Sequence, residues 1–356
     1  MDIGVVKETK LQERRVALVP NEVSKLVGEG HQVYVEDNAG LGAGFNNQNY
    51  RDVGAQIVPA EEVYEKKLLI RVKEPPIESL REQQILMGYL HIEKGQSPEL
   101  KQALLEKRVT AYAFEEIRDL NTTHRLVSLG FEAGVVGMFE GLRTYGQIQQ
   151  QNGKNNPFKS LKPIREYASK DDAYLALRDI NPRDISTRVY IAGYGKVSKG
   201  AQEVLSKISC PPTILKEEDT ARIPILGREH AYIWKHLPQA DIFVNAIVWQ
   251  PGSQRVITKK DLERMVDGSL IVDISCDENG GVESCIPTTW KNPSYRVITE
   301  NGNNIFHYCV DNMPSAIAHD SSVNLSKMIY PHVLKVANGE TLPTGLMTKN
   351  GEYKFN

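Results

Sequence analysis

The stretch that most constrains how this chain folds is residues 188–207, RVYIAGYGKVSKGAQEVLSK. Its first part, 189–192, is a short β-branched and apolar run, which is typical of a buried parallel strand. Gly193 and Gly195 then predict a tight turn, and the apolar residues after them recur at helical spacing. At such a strand–turn–helix junction, backbone N–H groups and the positive end of the helix face an anion. We therefore predict that this turn binds the pyrophosphate of a dinucleotide.

The same motif indicates which residues line the site. Glycine is needed where the backbone bends sharply and where a pyrophosphate comes close. The third glycine of the usual pattern is replaced by Ser198, which is small enough for close packing of the helix on the strand. The cofactor contacts predicted at this turn are Gly193, Tyr194, Gly195, Lys196 and Val197.

Length and composition indicate a soluble two-domain protein. The 356 residues are too many for one ordinary core. A hydrophobic content of 40% and a charged content of 25% are ordinary for a globular enzyme. The net charge of −2 gives no basic footprint for nucleic acid, and no apolar run is long enough to span a bilayer. The first residues have no signal-peptide layout, so we expect a cytoplasmic protein.

Cysteines and histidines show no pattern of a metal or disulfide site. Cys210, Cys276, Cys285 and Cys309 lack Cys-x-x-Cys spacing, so we expect small, buried, reduced side chains. The histidines are scattered, and none pairs at metal spacing with another histidine or a cysteine. There is no Gly-x-Ser-x-Gly elbow either. We therefore predict neither a metal centre nor a Ser-His-Asp hydrolase.

Residues 1–120 read as an α/β unit in which polar residues follow predicted strands. Lys73, His91 and Glu115 each come at the end of such a strand, and the carboxyl ends of parallel strands form the crevice of an open α/β sheet. The glycine-rich run 38–45 is not predicted to be a nucleotide loop, because no apolar-periodic helix follows it. The strands predicted here are 2–6, 32–36, 68–72, 85–90 and 109–114, with a helix over 23–29.

The rest of the chain begins with a glycine-rich helix and then repeats the α/β pattern. Residues 126–146 are periodic and carry glycine at every third or fourth position from Gly130 to Gly141, which predicts a helix packed very close to another backbone. Residues 147–187 predict a connecting loop and then a helix over 171–178. Further strands are predicted at 242–247 and 270–275, and a last helix over 321–337.

The choice between NAD and NADP depends on the residue after the strand that follows the glycine turn and its helix. NAD-binding proteins usually place an acidic residue there to bind the ribose hydroxyl. In this chain Lys216 follows the strand 212–215, which favours the 2′-phosphate of NADPH. A shift of one residue would place Glu217 there and favour NADH. We predict NADPH or NADH as the cofactor, with NADPH slightly favoured.

Several motifs resemble one family. RVALVP from Arg15, VKEP from Val72, YLH ending at His91 and HYCVDNMP from His307 resemble the alanine dehydrogenase / transhydrogenase superfamily. Other stretches are more similar to its saccharopine-forming branch, the lysine–2-oxoglutarate reductases. Those stretches are RLVSLG from Arg125, the Ala133–Met138 glycine pattern, NPF from Asn156, GKVSKGAQ from Gly195, FVNAIVW from Phe243 and DISCDENGG from Asp273.

The resemblance implies an α/β fold of two Rossmann-like, doubly wound parallel-sheet domains with the active site in the cleft between them. The substrate domain would be discontinuous, 1–130 plus 310–356, and 131–309 would bind the dinucleotide. Lys73 and His91 fall on the catalytic lysine and histidine positions of the family. The resemblance also implies substrate contacts at Arg15, Glu115 and Arg125, and further cofactor contacts at Ala246, Asp277, Asn312 and Met313.

We therefore predict an NAD(P)H-dependent oxidoreductase acting on CH–NH bonds. It would join a lysine-like amino acid to a 2-oxoglutarate-like 2-oxo acid, giving a saccharopine-type product. Arg15 suits such a substrate, because a planar guanidinium binds a carboxylate with two hydrogen bonds. One alternative is alanine dehydrogenase, which converts L-alanine to pyruvate and ammonia. Another is a non-catalytic nucleotide-binding protein. The expected partners are small molecules, with no nucleic acid or membrane, and the chain could form a homo-oligomer.

Overall fold

The computed structural model describes residues 1–93, 95, 97–216, 220, 233–249, 252–276 and 280–354. The chain divides into two compact units, Met1–Leu129 with Ala318–Asn356, and Gly130–Ile317. Each unit contains a largely parallel sheet flanked by helices, which confirms the predicted fold class. No helix of the described residues is long and apolar enough to cross a membrane.

The strands and helices have the following bounds. The strands are β1 Asp2–Val5, β2 Gln32–Glu36, β3 Gln56–Val58, β4 Leu68–Ile70, β5 Ile85–Gly88, β6 Thr110–Ala113, β7 Val189–Ala192, β8 Thr213–Leu215, β9 Ile242–Asn245, β10 Leu270–Asp273, β11 Ser294–Ile298, β12 Asn304–Tyr308, β13 Leu346–Lys349 and β14 Glu352–Tyr353. The α-helices are Pro20–Gly28, Asn47–Arg51, Ala60–Val63, Pro98–Glu106, Gly130–Gln151, Lys170–Arg178, Lys196–Ser206, Ile233–His236 and Ala318–Ala337. Short 3-10 helices include Phe114–Glu116 and Met313–Ile317.

The first unit contains an eight-stranded sheet in the order β14-β13-β6-β5-β4-β1-β2-β3. β1 to β6 are parallel to one another, and the hairpin β13–β14 extends the sheet beyond β6, with β13 antiparallel to β6. Alternate residues of β4 belong to different hydrophobic clusters, Leu68 and Ile70 to one and Leu69 to the other, so both faces of the sheet are covered. The strand order reverses between β1 and β4, which makes the carboxyl ends there the expected ligand crevice of this unit.

The second unit contains a six-stranded sheet in the order β11-β12-β10-β9-β7-β8. All neighbours are parallel except β11, which pairs antiparallel with β12. The strand order reverses between β7 and β9, so the crevice of this sheet lies where those two strands end. Gly193 directly follows β7 and Ala246 directly follows β9, which places both predicted cofactor residues at that point.

Two helices of the second unit pack backbone against backbone. A Cβ atom added to Gly134 would lie 2.0 Å from the carbonyl oxygen of Val197, and one added to Gly200 would lie 2.0 Å from that of Phe131. The helix Gly130–Gln151 therefore lies directly on the helix Lys196–Ser206, as the glycine spacing predicts. This contact holds in place the helix whose first turn follows the glycine motif.

We expect Gly134→Ala to destabilise the second unit by about 1–3 kcal/mol, because the two helices must separate to admit one methyl group. Gly28→Ala is the matched control. It lies in the helix Pro20–Gly28, where an added Cβ meets nothing within 4 Å. There the same change is expected to stabilise by about 0.5–1 kcal/mol. Urea unfolding of both variants measures the difference, and equal effects would contradict this account of the helix contact.

Candidate functional sites in the two units

Three predicted site residues follow three adjacent parallel strands of the first unit. Lys73 comes after β4, His91 after β5, and Glu115 lies in the 3-10 helix that follows β6. Lys73 and Glu115 are buried and His91 is half-buried. Because parallel strands end at one edge of the sheet, these three chemically different groups share one edge, as the strand-end argument predicts.

His91 and Glu115 form the best-defined contact of this edge. The Nδ1 atom of His91 lies 3.5 Å from Oε1 of Glu115. The same oxygen accepts hydrogen bonds from the backbone N–H groups of Leu90, at 3.1 Å, and His91, at 2.6 Å. The ring of Tyr89 stacks on the imidazole, with centroids 6.1 Å apart. These contacts orient the His91 ring beside a carboxyl group.

The backbone of His91 is also unusual. Its φ angle is 50°, in the left-handed region that non-glycine residues seldom adopt. Such a conformation costs on the order of 1–3 kcal/mol, and strained residues of this kind tend to cluster at functional sites. The two backbone hydrogen bonds to Glu115 hold this turn in place. The strain supports a role for His91 beyond packing.

A second carboxyl group lies beside this pair. One ligand atom from each of His91, Glu93 and Glu115 lies within 4.8 Å of the others. The pKa of Glu115 is raised to about 7, mainly by burial and to a smaller extent by the nearby Glu93, while backbone hydrogen bonds oppose the shift. The other carboxyl oxygen of Glu115 has no hydrogen-bond partner among the described residues. Glu115 is therefore partly protonated near neutral pH. That these three side chains bind no metal stays a prediction, which is tested by measuring activity with and without a chelator.

We expect Glu115→Gln to make the first unit more stable at pH 8 and to leave it nearly unchanged at pH 4. The folded-state pKa of Glu115, about 7, lies above the ordinary 4.5. Folding therefore retains a proton between these values, and the native protein loses stability as pH rises through that window. Glutamine resembles the protonated carboxyl group and avoids that loss, which is on the order of 3 kcal/mol. Urea titrations of both proteins at the two pH values measure it, and equal pH dependence would contradict the raised pKa.

Glu8, which sequence reasoning missed, lies at the point where the strand order of this sheet reverses. Its carboxylate accepts hydrogen bonds from the backbone N–H groups of Val72, at 2.6 Å, and Lys73, at 3.1 Å. The guanidinium of Arg71 pairs with it at 3.2 Å, with both side chains buried. Burial raises the pKa of Glu8, against Arg71 and the N–H groups, which lower it. Glu8 follows β1 as Lys73 follows β4, so the strand-end rule was the signal that could have found it.

Arg15 is buried and already paired. Its Nε and Nη2 atoms donate to the two carboxylate oxygens of Glu13 at 2.8 and 2.6 Å. Burial alone would lower the pKa of Arg15, but Glu13, with smaller contributions from Tyr89 and Glu8, outweighs burial and the pKa is raised. A guanidinium has five N–H donors, and Glu13 accounts for one of its edges. A substrate carboxylate would therefore have to use another edge, or displace Glu13.

Arg125, which was predicted to contact the substrate, lies near the carboxylate of Glu116. Its Nη2 atom lies 3.7 Å from the carboxylate of Glu116, and about a third of its side chain is exposed. Arg118 pairs with the same carboxylate at 2.9 Å. Arg125 therefore belongs to a cluster around Glu116, next in sequence to Glu115, and its role as a substrate contact stays a prediction.

In the second unit, the glycine turn is fixed by close contacts with the neighbouring strands. Gly193 has a φ of 109°, and a Cβ added there would lie 2.8 Å from the carbonyl oxygen of Ala246. Gly193 also donates its N–H to the carbonyl of Leu215 at 2.9 Å. The turn therefore contacts the ends of β8 and β9. Glycine is required at 193 because a Cβ would clash with the carbonyl of Ala246, whether or not a ligand is bound.

Gly195 differs from Gly193 in what surrounds it. It is the N-cap of the helix Lys196–Ser206, and a Cβ added to it would meet nothing within 4 Å. Open space at the positive end of a helix fits a pyrophosphate. Tyr194, Gly195 and Lys196 are exposed around this space and Val197 is half-buried, so the four residues are available to a ligand.

The remaining predicted cofactor residues lie in different environments. Lys216 is exposed and directly follows Leu215, whose carbonyl accepts the hydrogen bond from Gly193. Glu217 and Asp277 lie outside the described residues. Asn312 has a φ of 65°, a conformation that asparagine tolerates well. Met313 is 2% exposed and packs in the hydrophobic core, beside the position of Gly137. In this arrangement the Met313 side chain serves packing rather than a surface contact.

Comparison with known proteins gives a consistent result over both units. Residues 4–136 match the model of the alanine dehydrogenase/PNT N-terminal domain, and residues 194–351 match that of the C-terminal domain. The chain is 32% identical to the alanine dehydrogenase of Bacillus subtilis, with 100% of this chain and 93% of that protein covered. It is 30% identical to the alanine dehydrogenase of Methanococcus maripaludis, with 100% and 95% covered.

Solved structures agree with these sequence relatives. An L-alanine dehydrogenase superposes with a TM-score of 0.78 at 27% identity, covering 99% of this chain and 96% of that one. A transhydrogenase from Sinorhizobium meliloti superposes with a TM-score of 0.69 at 18% identity, covering 99% and 98%, which shows a shared fold.

Proposed function

Because the chain belongs to the alanine dehydrogenase/PNT family, we propose that it interconverts L-alanine with pyruvate and ammonia, using a nicotinamide dinucleotide. This was the alternative considered from the sequence. The main prediction, a saccharopine-forming reductase, is wrong, because the relatives that match over the full length at about 30% identity are alanine dehydrogenases. The motifs at 125–138 and 195–202 therefore did not identify the correct branch of the superfamily.

The observation that carries the proposal is the His91–Glu115 contact at the edge that also holds Lys73. Oxidative deamination needs proton transfer at the amino nitrogen and at the water that releases ammonia, and histidine is well suited to this near neutral pH. Lys73, which is buried at the same edge of the sheet, is the proposed second proton donor and acceptor. When bound, the dinucleotide accepts the hydride from the substrate carbon.

Three further residues of the first unit have proposed roles that follow from their contacts. Glu115 orients the imidazole of His91, whose Nδ1 atom lies 3.5 Å from its carboxyl oxygen, and its pKa of about 7 suits proton exchange near neutral pH. Glu8 fixes the backbone at Lys73 through the N–H group of that residue. Arg15 supplies a cation for the single carboxylate of alanine or pyruvate, with Glu13 orienting its guanidinium.

We also propose that the glycine turn binds the pyrophosphate and that Lys216 favours NADPH over NADH. The residue paired with Leu215 across the sheet is Ala192, so Lys216 lies beside Gly193, where the ribose end of a dinucleotide is expected. A lysine ammonium is a good partner for a 2′-phosphate. Affinities of the purified chain for the two cofactors measure this preference, and a tenfold preference for NADH would contradict it.

The proposal is tested by reductive amination with two 2-oxo acids. We expect oxidation of the reduced dinucleotide with pyruvate plus ammonium, no oxidation when ammonium is left out, and a much slower rate with 2-oxoglutarate plus ammonium. Leaving out ammonium separates this reaction from simple reduction of the keto group. If the dinucleotide binds but is not oxidised with either acid, the result would support the non-catalytic alternative instead.

A further inference from the structure

Two cysteine thiols meet inside the second unit. The N–H of Cys285 donates to the carbonyl of Val282 and so closes a turn. Cys309 is the first residue after β12. Their Sγ atoms lie 2.9 Å apart, and both residues are buried. A shift of about 1 Å would bring the sulfur atoms to the bonding distance of about 2.05 Å. The sequence spacing gave no sign of this pair.

The contact is set by the surrounding backbone and not by the two side chains alone. The hydroxyl of Tyr295 donates to the carbonyl of Ser284 and accepts from the N–H of Ile286, both at 2.7 Å, so it holds the chain on either side of Cys285. Tyr295 is paired with His307 across β11 and β12, and their rings stack with centroids 5.0 Å apart.

Two further hydrogen bonds tie the Cys285 segment to β12. The Oγ atom of Ser284 lies 2.8 Å from Nε2 of His307. The N–H of Thr288 donates to the carbonyl of Cys309, also at 2.8 Å. The segment around Cys285 is therefore fixed to the end of β12 on both sides of the thiol, which preorganises the two sulfur atoms for reaction.

A cavity lies next to the segment that carries Cys285, although neither cysteine lines it. A pocket of about 830 Å³ in the second unit is lined by Ser284, Ile286 and Tyr295, the residues that flank or hold Cys285. Burial raises the pKa of the Cys285 thiol, so little thiolate is present and exchange is slow near neutral pH. A small disulfide in excess, given time, is the suitable oxidant.

We propose that Cys285 and Cys309 form an intramolecular disulfide when the protein meets a small-molecule disulfide such as oxidised glutathione. The Cys285 thiolate attacks one glutathione sulfur, which breaks the glutathione S–S bond and releases one glutathione thiolate. Cys309 then attacks the Cys285 sulfur of the mixed disulfide and releases the second glutathione. The two thiol protons end on the two glutathione molecules, so one disulfide is reduced as the other forms.

The test is peptide mapping of the full chain after long incubation with excess oxidised glutathione and alkylation of the remaining thiols. Trypsin places Cys285 in the peptide 265–291 and Cys309 in the peptide 297–327. We expect these two peptides to be joined and to separate on reduction. The first peptide also contains Cys276, so the variants Cys285→Ser and Cys309→Ser should lose the link, while Cys276→Ser and Cys210→Ser should keep it.

A second measurement does not depend on how the variants fold. Oxidised wild-type protein should keep two of its four thiols and unfold at a higher temperature than the reduced protein, because the bond restrains the unfolded chain between residues 285 and 309. No joined peptides in the wild type, or joined peptides that persist in Cys285→Ser, would overturn the proposal. Glutathione attached only to other cysteines would overturn it as well.

Discussion

Replacing His91 with asparagine is expected to lower turnover by roughly a hundredfold to ten-thousandfold, the usual scale for loss of a proton-transfer group. Asparagine is chosen because it tolerates the left-handed backbone at this position, where φ is 50°. It cannot exchange a proton near neutral pH. Steady-state kinetics should show the loss mainly in kcat.

His124→Asn is the matched control for this variant. His124 is an exposed histidine of the same unit, outside the proposed site, so its replacement should leave turnover within a factor of about two. Lys73→Met should cause a loss on the same scale as His91→Asn, since Lys73 is the second proposed proton-transfer group. Near-normal turnover in both His91→Asn and Lys73→Met would remove these two residues from the mechanism.

Gly195→Asp is expected to weaken dinucleotide binding by at least a hundredfold, about 3 kcal/mol. Residue 195 is the N-cap of a helix, with backbone angles that any residue adopts and open space where a side chain would extend. Aspartate is a favourable N-cap, so the helix should hold or gain stability. Its carboxylate would repel the pyrophosphate that the same N–H groups are proposed to bind. Calorimetric titration with NADH and NADPH measures the loss.

Gly195→Ser separates charge from size in this experiment. Serine is also a good N-cap but is neutral, so its effect on binding should be clearly smaller than that of aspartate. Gly193→Val is a poorer probe, because its Cβ would clash with the carbonyl of Ala246 and disturb the protein itself. Unchanged affinity in Gly195→Asp would show that the pyrophosphate binds elsewhere.

The features that the sequence predicted well are those set by local patterns. The glycine turn at 193–195, the strands before Lys73, His91 and Glu115, and the close-packed helix after Gly130 all depend on short-range spacing and appear where they were expected. The run 38–45 is a short 3-10 turn, Leu41–Ala43, followed by the helix Asn47–Arg51. A strand that is apolar throughout, or a glycine that touches another backbone, leaves a clear local signal.

Features that depend on partners distant in sequence were missed. His307 in β12 is fully buried, with a hydrogen bond to Ser284 and the ring of Tyr295 stacked on it. No sequence pattern in 304–308 reveals those partners. The hairpin β13–β14 exists because it adds to the edge of β6. The second crossing between units was expected near 310 and lies at 317/318, because Met313 to Ile317 pack in the core of the second unit.

The candidate site shows the same limit at the level of side chains. The sequence favoured Arg15 because a planar guanidinium binds a carboxylate with two hydrogen bonds, but Glu13, two residues earlier, already holds one edge of it in a buried pair. It chose Met313 by resemblance, and the structure buries that side chain. Residue type and family position select candidates, whereas burial and pairing decide which atoms of each candidate reach a ligand.

The most direct test of the proposed function follows the hydride itself. L-alanine carrying deuterium at Cα is incubated with the protein and the oxidised dinucleotide, and the reduced dinucleotide is examined by mass spectrometry. The account predicts one deuterium in the reduced cofactor and an equal amount of pyruvate and ammonia. No cofactor reduction with alanine, together with cofactor oxidation when lysine and 2-oxoglutarate are supplied to the reduced form, would contradict it.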